Sequence, residues 1–293
     1  MTLMKSPFNH SRKQLKMLLA ICACASVSSC SLLGLNKNST NSLSIFFLPS
    51  NNPDLIKKKF KNFKTYLEDK LGKKVTFQIP SSYAELGNTI NSGNYEIAQI
   101  NPVLYTKDYN PKTMESFATE LQAGETSYRS VFIVRPESTF WSINDLSGKT
   151  IGMNNKLSTS GYVVPTYILK LAGLEPNIDY KYNLLGSHTK SIHAVIKGEV
   201  DASAVSWPTL KNLIDNKLIN GEDIRIIEVS MKIPNDVWII RKTLKQSDKN
   251  RIRDVFFSMK SKSQDGYLGV DGFVPVDNDE YEIVRVARKD IAQ

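Results

Sequence analysis

From residue 43 onward, short apolar runs alternate with stretches whose apolar residues recur every three or four positions. Ser44 to Leu48 is a short apolar run, the pattern of a buried strand. Between Asp54 and Leu71, Ile56, Phe60, Phe63, Leu67 and Leu71 share one helical face, and Gly72 follows as a stop. Lys74–Ile79 and Glu96–Ile100 are the next expected strands. Ser82 is placed to cap a helix running to about Ile90, and Asn101-Pro102 reads as an N-cap with proline in the first turn. A second series follows. Strands are expected at Tyr128–Arg135, Lys149–Met153, Tyr182–Leu185, Val200–Val205, Arg225–Ser230 and Val237–Arg241. Helices are expected at Gly161–Leu171, stopped by Gly173, and at Thr189–Lys197. This alternation predicts an α/β fold with mostly parallel pairing. Length alone allows one domain or two, and no repeat of fixed period is visible.

The first 30 residues have a different pattern. Lys5, Arg12, Lys13 and Lys16 precede an apolar run of eleven residues, Met17 to Val27, with no acidic residue before Cys30. A spanning helix needs about 20 apolar residues. The order is that of a secretory signal peptide, residues 1–29. Val27-Ser28-Ser29-Cys30 resembles the bacterial lipobox, which makes Cys30 the expected lipidation site and residues 30–42 a polar tether. Cys22, Cys24 and Cys30 are the three cysteines of the chain. Processing would leave Cys30 alone, which rules out a disulfide framework and Cys-based metal sites. It would also lower the net charge from +9 to +5. That mild excess suits an anionic ligand and does not demand nucleic acid. Lys57, Lys58, Lys59, Lys61 and Lys64 fall on the polar side of the first helix and read as a solvated face.

Ser158-Thr159-Ser160-Gly161 stands directly before an apolar helix. A helix N-terminus offers unpaired N–H groups and partial positive charge; three hydroxyls add donors, and glycine admits an oxyanion close to the backbone. Such a set binds a tetrahedral anion without a lysine, although serine is equally an ordinary N-cap. Gly186-Ser187-His188 stands between a strand and a helix, where His188 can donate a ring N–H or simply sit at a helix end. Asp236, in Ile233-Pro234-Asn235-Asp236, and Tyr83, near a strand-to-helix turn, are further candidates that also fit turn and packing roles.

Taken together, Ser158-Thr159-Ser160-Gly161-Tyr162-Val163-Val164-Pro165, Tyr128-Arg129-Ser130-Val131, Gly186-Ser187-His188, Val200-Asp201-Ala202, Ile233-Pro234-Asn235-Asp236 and Phe273-Val274-Pro275-Val276 resemble the phosphate/phosphite/phosphonate-binding proteins of ABC transporters. The resemblance is collinear and spans roughly residues 43–285. It implies the two-lobed type II periplasmic-binding fold, with lobe 1 at 43–130 plus 237–293 and lobe 2 at 131–236. The crossovers would lie near Tyr128-Arg129 and Asn235-Val237, with a ligand cleft between the lobes. It further implies that Ser158, Thr159, Ser160 and Gly161 hold oxyanion oxygens, that His188 and Tyr83 donate, and that Asp236 accepts from a protonated ligand oxygen. An ABC permease as partner, no cofactor and a monomeric chain are the expectations that go with it. Where the family often has an aromatic residue or Leu before Gly-Pro, this chain has Gln99-Ile100-Asn101-Pro102. Ala202–Leu210 carries no Asp or Glu to meet a ligand ammonium, which favours phosphite, methylphosphonate or phosphate. Two other classes are open to the sequence. An enzyme would use Ser158 or Ser160 as nucleophile, but no G-x-S-x-G elbow is present, and only His188 and His193 remain after processing. A sensory module would bind the same anion and report to a membrane receptor.

Overall fold

The computed structural model describes residues 42–49, 56–57, 60–259 and 270–292. The expected signal peptide, Cys30, most of the tether, Lys58, Lys59 and the start of the first helix lie outside the described residues. In chain order the strands are β1 Ser42–Phe46, β2 Lys74–Gln78, β3 Ile97–Ile100, β4 Met114–Leu121, β5 Ser127–Tyr128, β6 Ser130–Val134, β7 Thr150–Met153, β8 Lys181–Leu184, β9 Ala202–Ser206, β10 Arg225–Val229, β11 Ile233–Pro234, β12 Val237–Arg241 and β13 Gly272–Val274. The α-helices are α1 Lys61–Leu71, α2 Tyr83–Asn91, α3 Pro102–Asp108, α4 Val164–Leu171, α5 His188–Ile196, α6 Trp207–Asp215, α7 Gln246–Ser258 and α8 Glu282–Asp290.

The strands form two principal sheets, one per lobe. One has six strands in the order β13-β4-β12-β3-β1-β2, the other five in the order β10-β6-β9-β7-β8. Both are mixed, which corrects the expectation of mostly parallel pairing. β1 pairs parallel with β2 and β3, and β7 with β8 and β9. The pairs β12–β3, β12–β4, β13–β4, β6–β9 and β6–β10 are antiparallel. The reason lies in the route of the chain. It leaves the first sheet through β5 and returns through β11. These two segments pair with each other as a short antiparallel ribbon, Tyr128 opposite Ile233. Strands entered from the ribbon run against those of the strand–helix units. Tyr128–Arg135, expected as one strand, is therefore two, the ribbon strand β5 and the sheet strand β6.

Each sheet is covered on both faces, so its strands are apolar throughout rather than alternating. On β12, Trp238 and Ile240 enter the core under α1 and α7, whereas Val237 and Ile239 join Tyr83, Leu86 and Tyr105 on the other face. On β6, Phe132 and Val134 meet Leu169, and Val131 and Ile133 meet Ile192 and Leu210. α1 buries Phe63, Leu67 and Leu71 and ends where Gly72, at φ +62°, returns its N–H to the Glu68 carbonyl. Lys57 and Lys61 are exposed. β4 was not expected, because its sequence MESFATEL interleaves acids with apolar residues. Those acids have partners: Lys249 and Arg253 reach Glu115, and buried Glu120 accepts from Gln99 Nε2 at 2.6 Å, Gln122 Nε2 at 2.8 Å and Trp238 Nε1 at 3.2 Å.

Candidate functional site

The C-terminal ends of the parallel strands feed helix N-termini, the place where open α/β sheets present ligand sites. After β2, Ser82 Oγ accepts from Glu85 N–H at 3.1 Å and starts α2. Behind β3, Asn101 Oδ1 accepts from Leu104 N–H at 2.9 Å and starts α3. β7 leads into a single π-helical turn, Thr159–Val163, capped by Ser158 and continuous with α4. β8 leads to Ser187, whose Oγ accepts from Lys190 N–H at 3.2 Å and makes His188 the first residue of α5.

Ser158, Thr159, Ser160 and Gly161 are all buried, and each hydroxyl already accepts a hydrogen bond from the protein. Ser158 Oγ takes Gly161 N–H at 3.2 Å and Asn154 Nδ2 at 3.4 Å. Thr159 Oγ1 takes Val103 N–H at 3.3 Å, from the N-terminus of α3 in the other lobe. Ser160 Oγ takes the Tyr128 phenol at 3.2 Å, while Ser130 Oγ donates to the Ser160 carbonyl at 2.6 Å. A hydroxyl whose lone pair is engaged this way has its own hydrogen left to donate. The turn therefore presents three oriented O–H donors together with the N–H groups of a helix start.

Gly161 joins this turn to His188. A Cβ at that position would lie 2.5 Å from Asn154 Cβ, 2.9 Å from His188 Cε1 and 2.9 Å from Ser158 Oγ, so no side chain fits. His188 Nδ1 accepts from Ser206 N–H at 3.2 Å. That bond fixes the neutral tautomer with hydrogen on Nε2. Burial pushes the imidazole down to a pKa of about 4, so at neutral pH it is an uncharged donor. Among the hydrogen bonds of the described residues, Ser158 and Ser160 give no proton to an imidazole.

Across the cleft stand phenols and a carboxylate. Tyr83 is the first residue of α2, and its phenol lies beside the Ser158 side chain, close enough to feel it electrostatically. Burial, then the charge of Asp236, hold the Tyr83 and Tyr128 phenols well above their usual pKa, and both remain protonated donors. Tyr281 is shifted the same way by burial and by Asp236, and its hydroxyl donates to the Asn235 carbonyl at 3.0 Å. Asp236 is half-buried beside these three phenols, and its backbone carbonyl accepts from Thr119 Oγ1 at 3.1 Å.

The structure thus gathers Ser158, Thr159, Ser160, Gly161, His188, Tyr83 and Asp236 into one region, while Cys30 lies outside the described residues. Reading residue types alone does not single out Tyr128, Asn154, Ser206 or Val103 as site residues. Tyr128 had a readable signal, a phenol where the chain crosses between lobes. Val103 and Ser206 act through backbone N–H groups, which no residue type reveals.

A family model described as "ABC transporter, phosphonate, periplasmic substrate-binding protein" matches residues 45–281. The chain is 27% identical to the Phosphonates-binding periplasmic protein of Escherichia coli (strain K12), over 66% of this chain and 58% of that protein. It is 24% identical to the Phosphate-import protein PhnD of Mycolicibacterium smegmatis, over 81% of this chain and 82% of that protein. Among solved structures, PhnD1 of Prochlorococcus marinus in complex with methylphosphonate has the same fold, with a TM-score of 0.77 at 18% identity over 86% of this chain and 99% of that one.

Proposed function

The chain belongs to the family of periplasmic phosphonate-binding components of ABC transporters, and from that membership we propose that it captures a small phosphorus oxyanion (phosphite, methylphosphonate or phosphate) between its lobes and delivers it to an ABC importer. Ser158, Thr159 and Ser160 hold the anion oxygens, and Gly161 admits them to the helix start. His188 Nε2 and the Tyr83 phenol donate, and the Tyr128 phenol, donating to Ser160 Oγ, orients that hydroxyl. Asp236 accepts from the protonated ligand oxygen. The observation that carries this reading is the direction imposed on the hydroxyls. Each of the three consecutive side chains accepts from a protein N–H or O–H, so each keeps its own hydrogen for a ligand. Neutral donors and a helix start bind an anion firmly without a fixed counter-ion that would hold it permanently. The chain acts by binding, as a monomer and without a covalent step. Its lobes, residues 43–130 with 237–293 and residues 131–236, close about the β5–β11 ribbon.

Calorimetric titration tests this directly. Phosphite, methylphosphonate or phosphate saturates the protein at one site, and sulfate does not. 2-Aminoethylphosphonate binds at least about tenfold, or 1.4 kcal/mol, more weakly than methylphosphonate, because β9 and the start of α6 offer its ammonium no carboxylate. Saturation by sulfate with no response to any phosphorus anion overturns the proposal. The periplasmic protein is held to the membrane by lipid at Cys30. Cys30→Ala then yields released protein or an uncleaved precursor in membrane fractionation, and a wild-type chain recovered wholly soluble and unacylated removes the anchor.

A further inference from the structure

The two residues flanking Ser158 are gripped from the opposite lobe, Leu157 at its carbonyl and Thr159 at its hydroxyl, and both grips come from one short segment at the end of β3. Asn101 is 5% exposed, and its carboxamide is used at both ends. Oδ1 accepts Leu104 N–H at 2.9 Å and caps α3, while Nδ2 donates to the Leu157 carbonyl at 2.7 Å across the cleft. Pro102 follows and has no N–H, so the first backbone donor of α3 is that of Val103. It reaches Thr159 Oγ1 at 3.3 Å. An apolar cluster seals the same contact from behind: Val103 of α3, Val163 of the π-helical turn, and Val284 and Ala287 of α8.

We infer that Asn101 is a cross-lobe latch, a positioning residue that holds Leu157 and, through the adjoining Val103 N–H, Thr159 in the ligand-gripping arrangement, and so sets how long the ligand stays. The latch rests on the reading of this cleft as the oxyanion site. Its chemistry follows from hydrogen-bond direction. With Val103 N–H on one lone pair, Thr159 donates its own hydrogen to the ligand, and bonds in such a chain polarise one another in the same sense. The anion strengthens the cross-lobe bond, and the cross-lobe bond strengthens the grip on the anion. Asn101 keeps the two chains in register, because a slip between α3 and residues 157–159 would break its short bond to Leu157. Opening the lobes must break the Asn101 and Val103 bonds together. Their loss therefore appears in ligand release and in the compactness of the free protein rather than in the encounter rate.

The test separates latch from helix cap. Asn101→Asp keeps the capping oxygen but replaces the donor with a carboxylate oxygen facing the Leu157 carbonyl. Asn101→Ser keeps a capping hydroxyl on a side chain too short to reach Leu157. Asn101→Gly removes both functions. Dissociation of phosphite or methylphosphonate is followed by stopped-flow competition, and the radius of gyration of the ligand-free protein by small-angle X-ray scattering. The latch requires koff to rise about two- to tenfold in Asn101→Ser, the span of one hydrogen bond, and at least as much in Asn101→Asp. The association rate stays unchanged and the free protein becomes more expanded in both variants. Wild-type koff and wild-type dimensions in Asn101→Asp and Asn101→Ser, with only Asn101→Gly altered, reduce Asn101 to a cap and overturn the inference. The scattering comparison needs no ligand. Failure of every phosphorus anion to bind wild type would therefore strike the ligand assignment alone, while equal dimensions of wild type and Asn101→Asp would strike the latch.

Discussion

The two walls of the cleft are built on different terms. On the five-stranded side, most donors are held by bonds made within the same lobe: Gly161 and Asn154 on Ser158, Ser206 on His188. On the six-stranded side, Tyr83, Asn101 and Val103 reach the same turn only across the gap. Tyr128 and Asp236 stand between, on and next to the crossover ribbon. A wall that is already in shape gains affinity because little ordering is left to be done when the ligand arrives. A wall that must swing in contributes to retention. On the proposed reading the difference gives capture to one lobe and closure to the other, and substitutions on the two walls should then differ in size and in kind.

The most severe test of the first wall is Gly161→Ala. The added methyl meets Asn154 Cβ at 2.5 Å and the imidazole at 2.9 Å, and neither neighbour is the far end of a flexible chain. Overpacking of this kind costs about 1–3 kcal/mol, and here it falls between the hydroxyl turn and His188. We expect affinity to drop, by up to about a hundredfold, with the six-stranded core intact, read by titration beside a thermal melt. Retained affinity would mean that the spacing of turn and imidazole does not matter. Next come His188→Ala and Thr159→Ala, each expected to weaken binding by about 1.5–3 kcal/mol, as for a hydrogen bond to a charged group. Tyr83→Phe on the second wall should cost about 1 kcal/mol, expressed mainly in koff. If Tyr83→Phe costs as much as His188→Ala, the division into a capturing wall and a closing wall is wrong.

The capturing wall was also the legible one. Ser158–Gly161 and Gly186–His188 are contiguous, so their chemistry shows as motifs. The closing wall is assembled from single residues far apart in the chain and from backbone N–H groups, and only Tyr83 and the Asn101 cap could be read. The same contrast holds in the fold. Continuous apolar strands such as β6 and β12 were readable because helices cover both faces. β4 was hidden by Glu115 and Glu120, whose charges are met by side chains more than a hundred residues away or across the sheet. Pairing direction was misread because it depends on where the chain crosses between lobes, and the ribbon segments are two residues each.

A smaller effect at working pH tests the burial on which the first wall depends. His188 is held neutral in the folded chain, at about 4 against an ordinary value of 6.5. Between those values the unfolded chain binds the extra proton and the folded chain does not, so stability falls as pH drops and is fully present above the unfolded value. The His188 contribution should be lost by about 2 kcal/mol at pH 5 relative to pH 7. Urea unfolding of wild type and His188→Gln at the two values isolates it, because every other titrating group is common to both proteins. Equal pH dependence in the two proteins would place His188 in solvent contact and undo the neutral-donor argument. Binding itself should not respond to His188 between pH 8 and about pH 5.5, since the imidazole stays an uncharged donor over that range.

Asp236 is where the two walls meet, and on the proposed reading it discriminates rather than holds. Its negative charge already raises the Tyr83, Tyr128 and Tyr281 phenols, so it is felt throughout the region where the ligand is placed. A carboxylate facing a bound anion repels it unless a proton lies between them. A phosphorus oxyanion can supply that proton near neutral pH, phosphate esters having a second pKa of about 6. Sulfate is fully ionised and leaves the two negative charges opposed, a penalty that rejects the wrong anion without improving contacts to the right one. Asp236→Asn removes the repulsion and replaces the acceptor with a weaker one. It should therefore weaken phosphite or phosphate and admit sulfate, narrowing the ratio of their affinities by about tenfold, or 1.4 kcal/mol. The pH dependence carries the same sign. Wild-type affinity for phosphate should fall as pH rises past the ligand's own second pKa, and the Asn variant should flatten that fall. Titrating both anions into both proteins at pH 6 and pH 8 decides it. A ratio unchanged by the substitution at both values would leave Asp236 as a residue of the crossover turn, and the selectivity would have to come from the oriented hydroxyls of the capturing wall alone.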